Sequence, residues 1–244
     1  MGRCHYDQRE RIRPTQSEGP HLTELGAAKE SRRGERRLPM ALAVLTAAGL
    51  YLLIPAEFRV WEPLLVIYPA FLLVLLAALI LGDPGRIDRD KRWLRVTTGV
   101  MVAIITAATA AAAVRLVVGI LTGAQFASPL QLLATGAIVW TTNIIAFALW
   151  YWLIDRGGPA ARANGTADSL AAFRFPEQDI AGLGDAGWYP QFIDYLAVSF
   201  NTATAFSPTD VSAIRHWSKL WLIAESAISM TLAILVVARA VNIL

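Results

Sequence analysis

Residues 63–81 read PLLVIYPAFLLVLLAALIL, without one charged side chain. As an α-helix the run is about 28 Å long, close to the roughly 30 Å hydrocarbon core of a bilayer. Moving outward, apolar blocks of similar length recur at about 39–56, 96–121, 129–154 and 218–244, and charge collects between them. It lies before Pro39, between Asp83 and Arg95, and between Asp155 and Asp185. Only 17% of the chain is charged and 55% is hydrophobic, where a soluble domain carries about 25% charge to wet its surface. A helical bundle inside a soluble protein would lack the polar surface to cover these blocks. The sequence therefore predicts an all-α, polytopic transmembrane helical bundle of about six membrane segments, the fifth either crossing or re-entrant.

Four regions follow. Residues 1–38 are polar and interrupted by Pro14, Gly19, Pro20, Gly26 and Gly34, and read as a disordered cytoplasmic tail ending in Arg32, Arg33, Arg36 and Arg37. Residues 39–154 hold four transmembrane helices. The turn Glu57–Glu62 makes the first two antiparallel neighbours, and Asp83-Pro84-Gly85 stops the second. Alanines from Ala107 to Ala113 suit close helix packing in the third. Residues 155–187 are a polar connection broken by Gly157-Gly158-Pro159 and Phe175-Pro176, and residues 188–244 hold a shorter amphipathic helix, a turn and the last span.

Orientation follows from counting Lys and Arg. The tail has nine, the 82–95 loop five and the 155–187 connection three, whereas the opposite loops hold only Arg59, Arg215 and Lys219. Cytoplasmic loops carry the positive excess, so the reading is a multi-pass plasma-membrane protein with its N-terminus in the cytoplasm. With every segment crossing, the C-terminus is inside too, and this six-crossing layout is favoured over entry of the fifth segment from the cytoplasmic side.

The composition argues against several chemistries. Cys4 is the single cysteine and His5, His21 and His216 are scattered, so no metal site or disulfide framework is expected. There is no Ser-His-Asp candidate set and no phosphate-binding glycine loop, because Gly182, Gly184, Gly157 and Gly158 lack a preceding strand and a following helix. The expectation is a protein that is not an enzyme, takes no cofactor and does not bind nucleic acid.

Polar groups at membrane depth each need a reason. Arg115 and Arg239 lie near span ends, where their heads can reach the headgroups. Asn143, mid-way along the fourth span, suits an interhelical hydrogen bond. Glu225 is two turns into the last span and shares a helical stripe with Ser218, Leu232 and Arg239, with Ser229 one turn on. It calls for a structural bond to a neighbouring helix or to the Ser207–Thr209 loop, or else for a functional role.

Residues 199–211 read SFNTATAFSPTDV: a helix dense in hydroxyls, a proline turn, then an acid. This stretch resembles the pore loop of potassium channels with two helices per pore, Ser-Phe-x-Thr-x-Thr-Thr-Val-Gly-Tyr-Gly-Asp-Ile, without a gap. Asp194-Tyr195 resembles the start of that family's pore helix, and Lys219, Glu225 and Val237-Ala238-Arg239 its inner helix. The likeness covers about residues 190–243; the Ala-Phe-Ser-Pro-Thr-Asp ending is also similar to that of bacterial membrane proteins with no assigned activity. The family's filter glycines fall on Ser207 and Thr209 and its tyrosine on Pro208, which fixes φ and removes a donor. Potassium selectivity is therefore not carried over. The resemblance implies an ion-conducting homo-oligomer in the lipid bilayer, carrying an inorganic cation past Thr202, Thr204, Ser207, Pro208, Thr209 and Asp210, with Glu225 buttressing the loop. The alternative is a non-conducting structural or accessory protein in which Ser-Pro-Thr-Asp is a buried structural turn.

Overall fold

A computed structural model of the chain describes residues 34–58, 62–123, 128–165, 171–181, 188–204 and 210–243. The fold is all-α. Seven helices run in chain order among the described residues: α1 Leu38–Leu52, α2 Leu64–Gly82, α3 Arg92–Leu121, α4 Pro129–Ile154, α5 Pro159–Ala163, α6 Phe192–Thr204 and α7 His216–Ile243. Four of them, α2, α3, α4 and α7, are long and apolar enough to cross a membrane, and α1 is a shorter apolar helix.

Local chemistry sets the helix ends. Ser128 accepts from the Gln131 N–H (3.1 Å) and Pro129 opens the first turn, so α4 starts with a side-chain cap and a residue that has no N–H to satisfy. Within the spans, Thr98, Thr106, Thr109, Thr135 and Thr142 each donate to the carbonyl four residues back, at 2.7–2.9 Å. That keeps a hydroxyl satisfied where no water is at hand. The helix α4 is central: 67% of its apolar window is buried, against 22% for α2 and α7. It packs against α1, α3, α6 and α7.

Two small antiparallel pairings tie one end of the bundle together. Strand β1 (Glu35–Arg36) pairs with β2 (Arg86–Ile87), and β3 (Phe173–Arg174) pairs with β4 (Ser212–Ala213). The first lies inside the stretch expected to be disordered tail: Gly34–Arg37 are placed, with Arg37 buried against Asp83 at 3.1 Å. Residues 1–33 lie outside the described ones.

The decisive feature is the level at which α6 and α7 start. The end of α4, the start of α6 and strand β1 meet at Glu35, which accepts from Trp152 Nε1 (2.8 Å) and from the Phe192 N–H. Asp155, just past α4, holds the Ala172 N–H at 2.7 Å, and Ser218 in the first turn of α7 donates to the Ala172 carbonyl at 3.1 Å. Both helices therefore leave the same, basic end of the bundle and run side by side, Ser199 meeting Glu225 and the Thr202 carbonyl accepting from Ser226 Oγ at 3.1 Å.

The segment expected to cross over residues 188–206 contains a short helix. The 13 residues of α6 extend about 20 Å, well short of 30 Å. Ser212, paired with β3, and the first turn of α7 lie at the end from which α6 sets out. From that end α7 runs for 28 residues.

Candidate functional site

Three clusters surround α6. The deepest is centred on Glu225, which is fully buried. Tyr151 of α4 donates its hydroxyl to Oε2 at 2.5 Å, and Ser199 of α6 contacts Oε1. Ser199 is also 2.8 Å from the Ile144 carbonyl. One hydroxyl has a single proton, so Ser199 donates to one of these oxygens at a time. With Glu225 ionised, Ser199 and Tyr151 both donate to it. With Glu225 protonated, the acid donates to Ser199, which turns its own proton to Ile144. The cluster closes in either state, and no Lys or Arg among the described residues pairs with Glu225. One turn on, Asn143 Nδ2 donates to Ser229 Oγ at 3.1 Å, the interhelical bond expected of that amide.

The second cluster closes the basic end. Asp155 is fully buried and accepts from the Ala172 N–H through Oδ1 and from Tyr195 OH through Oδ2 (2.5 Å). Arg162 of α5 donates from Nη1 to the carbonyls of Trp152 and Asp155, each at 2.8 Å, which satisfies the last turn of α4. Its guanidinium lies over the Tyr195 ring, 5.0 Å from the centroid. The run Arg156, Gly157, Gly158 has φ of 50°, 79° and 97°, a left-handed passage that turns the chain back from α4 into α5 and costs least at glycine.

Glu35 forms the third cluster. Its carboxylate sits at the N-terminus of α6, where free N–H groups favour negative charge. Burial holds its carboxyl above the usual range, opposed by hydrogen bonds from Trp152 and Phe192 and by the charge of Arg162. Sequence reasoning placed Glu35 in the tail and missed it. The available signal was an acid directly ahead of the first apolar block. Tyr151 and Asp155 were missed as well, since an aromatic run at a span end reads as an interfacial belt and an acid just past it reads as loop.

The expected pore-lining residues are distributed unevenly. Thr202 and Thr204 are half-buried on α6 and donate to their own helix, Thr202 to Val198 O at 2.7 Å and Thr204 to Phe200 O at 3.0 Å. Asp210 is exposed. Ser207, Pro208 and Thr209 lie outside the described residues. Among the described residues no group of three or more His, Cys, Asp or Glu could hold a metal ion. On the outer face of α6, against α1 and α4, lies an apolar groove of about 790 Å³ lined by Leu38, Leu42, Trp140, Ile144, Leu196 and Phe200 among others. Compared with protein-family models, curated proteins and solved structures, the chain matches none of them.

Proposed function

We propose that the chain is an integral plasma-membrane protein in which α6 and residues 205–211 act as a degenerate pore loop, conducting an inorganic cation within a homo-oligomer. Five segments cross on this reading, α2, α3, α4 and α7 as long helices and α1 together with the chain that continues it to the 3-10 turn Ala56–Phe58, and α6 re-enters. The positive excess puts the basic end in the cytoplasm, so the loop enters from inside and the C-terminal end of α7 lies outside.

The observation that carries the reading is the shared starting level of α6 and α7 at Glu35, Asp155 and Ser218. A half-helix followed by returning chain is tolerated at membrane depth where it is covered by protein or lines a water-filled path. Its carbonyl end, near Thr204, carries the negative pole of the helix and favours a cation. Oligomerisation is part of the proposal because one loop cannot enclose a path. No catalytic chemistry is assigned to the chain.

A second reading has its own support. Glu225 is sealed by Tyr151 and Ser199, and Thr202 and Thr204 spend their protons on α6 itself. On that account the re-entrant segment is a structural lock in a non-conducting accessory protein. Flux of potassium, sodium and chloride into liposomes, for wild type and Asp210→Ala matched in insertion and oligomer size, separates the two. Cation flux that changes with Asp210→Ala is the expected result. A folded wild type that is silent at both voltage polarities leaves the accessory reading.

A further inference from the structure

We propose that the basic end of the bundle carries a site for a phosphate group, presented by an anionic phospholipid headgroup or by a free phosphate, in the pocket where α2, α3 and α4 end. The proposal stands apart from the pore reading, since no residue of α6 lines the pocket. Its volume is about 40 Å³, room for about three waters or one phosphate group at 10–15 Å³ for each water.

The lining sets the sign of the ligand. Arg37, Arg89, Lys91 and Arg95 face two carboxylates, Asp83 and Asp90, leaving two positive charges in excess. Both carboxylates are already engaged. Asp83 Oδ2 accepts from Arg37 Nη2 at 3.1 Å and from the N–H groups of Asp88 (3.2 Å) and Arg89 (3.4 Å). Asp90 Oδ1 accepts from Arg95 Nη2 at 2.6 Å. The backbone bonds fix Asp83 in place, so it cannot swing out to neutralise Lys91, an exposed lysine for which the described residues supply no side-chain partner. An anion seated there meets Lys91 directly and the outer faces of Arg89 and Arg95.

Position and shape select phosphate among anions. The pocket lies where three apolar helices end, the level at which headgroup phosphates sit. Trp152 and Leu94 supply an apolar wall beneath the charged rim, and Trp93, next to Lys91 and Arg92, is 46% exposed. A phosphodiester with an apolar body below it matches a charged rim over an apolar wall. Arg92 is also exposed but does not line the pocket, so it separates a defined site from diffuse attraction to a basic loop.

Native mass spectrometry of the full chain in neutral detergent would count bound phosphatidylglycerol against phosphatidylcholine, for wild type, Lys91→Gln, the Arg89→Gln/Lys91→Gln double variant and Arg92→Gln. A preference for the anionic lipid that falls about fivefold for each pocket cation removed, and survives Arg92→Gln, is the expected result. Displacement of that lipid by millimolar inorganic phosphate, or phosphate binding without lipid preference, assigns a free phosphate; lipid retention assigns the headgroup. Equal loss in Arg92→Gln and Lys91→Gln overturns the site in favour of diffuse charge, as does the absence of both lipid preference and phosphate binding. Lys91→Gln alone suffices if the double variant does not fold, because its side chain makes no bond that the fold needs.

Discussion

The two halves of the bundle are held by different means. Around α2 the contacts are apolar: Leu72, Leu76 and Leu79 are buried, and the ring pair Tyr51–Tyr68 packs at 4.3 Å between centroids. Around α6 and α7 lie Glu225, Ser199, Tyr151, Asn143 and Ser229, all buried and bonded across helices. Lipid gives apolar helices little reason to prefer one another, so helix association there rests on packing and on interhelical hydrogen bonds. The contrast teaches that polarity is concentrated where the short helix α6 has to be kept in place. At 13 residues α6 is shorter than α1 to α4 and α7, and these bonds hold it in register.

The comparison breaks first at Glu225. Glu225→Leu strands the buried Tyr151 hydroxyl, while Ser199 keeps the Ile144 carbonyl, and is expected to cost about 2 kcal/mol in detergent-titrated unfolding. Glu225→Gln should cost less than half of that, since an amide donates to Ser199 and accepts from Tyr151 as the protonated acid does. Equal losses would mean that the cluster does not close in both states. Asn143→Leu is next, at about 0.6 kcal/mol and no more than about 1.7, and a double cycle with Ser229→Ala should recover most of it as coupling.

Glu35 sharpens the comparison through pH. Its carboxyl is raised above 4.5 in the folded chain, so the native state holds the proton more tightly than the unfolded one. Stability should be greatest below the unfolded value and fall as pH rises through the folded one. Glu35→Gln should flatten that slope in unfolding midpoints measured across the same range; an unchanged slope would remove Glu35 as its source. The smallest effect belongs to the other half: Val66→Ala, on the exposed face of α2 (69% exposed), should stay within about 0.5 kcal/mol.

Much of the fold was legible because membrane length is a strong ruler. The block at 129–154 matches α4 at both ends, and the others come within a few residues. The partner of Asn143 was legible as a class, since an amide at that depth needs a donor or acceptor, and the Glu225–Ser229 face was legible from helical spacing. What failed was anything set by contact between distant segments. The shortness of α6 and the starting level it shares with α7 emerge only when Thr204 ends the helix and β3 pairs with β4. The two strand pairings are too short to leave a period in the sequence. The alanines of 107–113 were legible only in part: Ala112 and Ala113 are buried, but Ala107 and Ala110 face outward.

The order of synthesis gives the Glu225 cluster another meaning. Tyr151 and Ser199 leave the ribosome before Glu225 does, so both receptors exist when the acid arrives. A lone acidic side chain at the centre of an inserting helix costs about 2.5–3.5 kcal/mol. A helix that slides in against α4 and α6 instead delivers its carboxyl to waiting hydroxyls. On the re-entrant reading proposed above, α6 is also a chaperone in cis: its entry from the same end as α7 readies half of a receptor along the path that the last helix takes into the membrane.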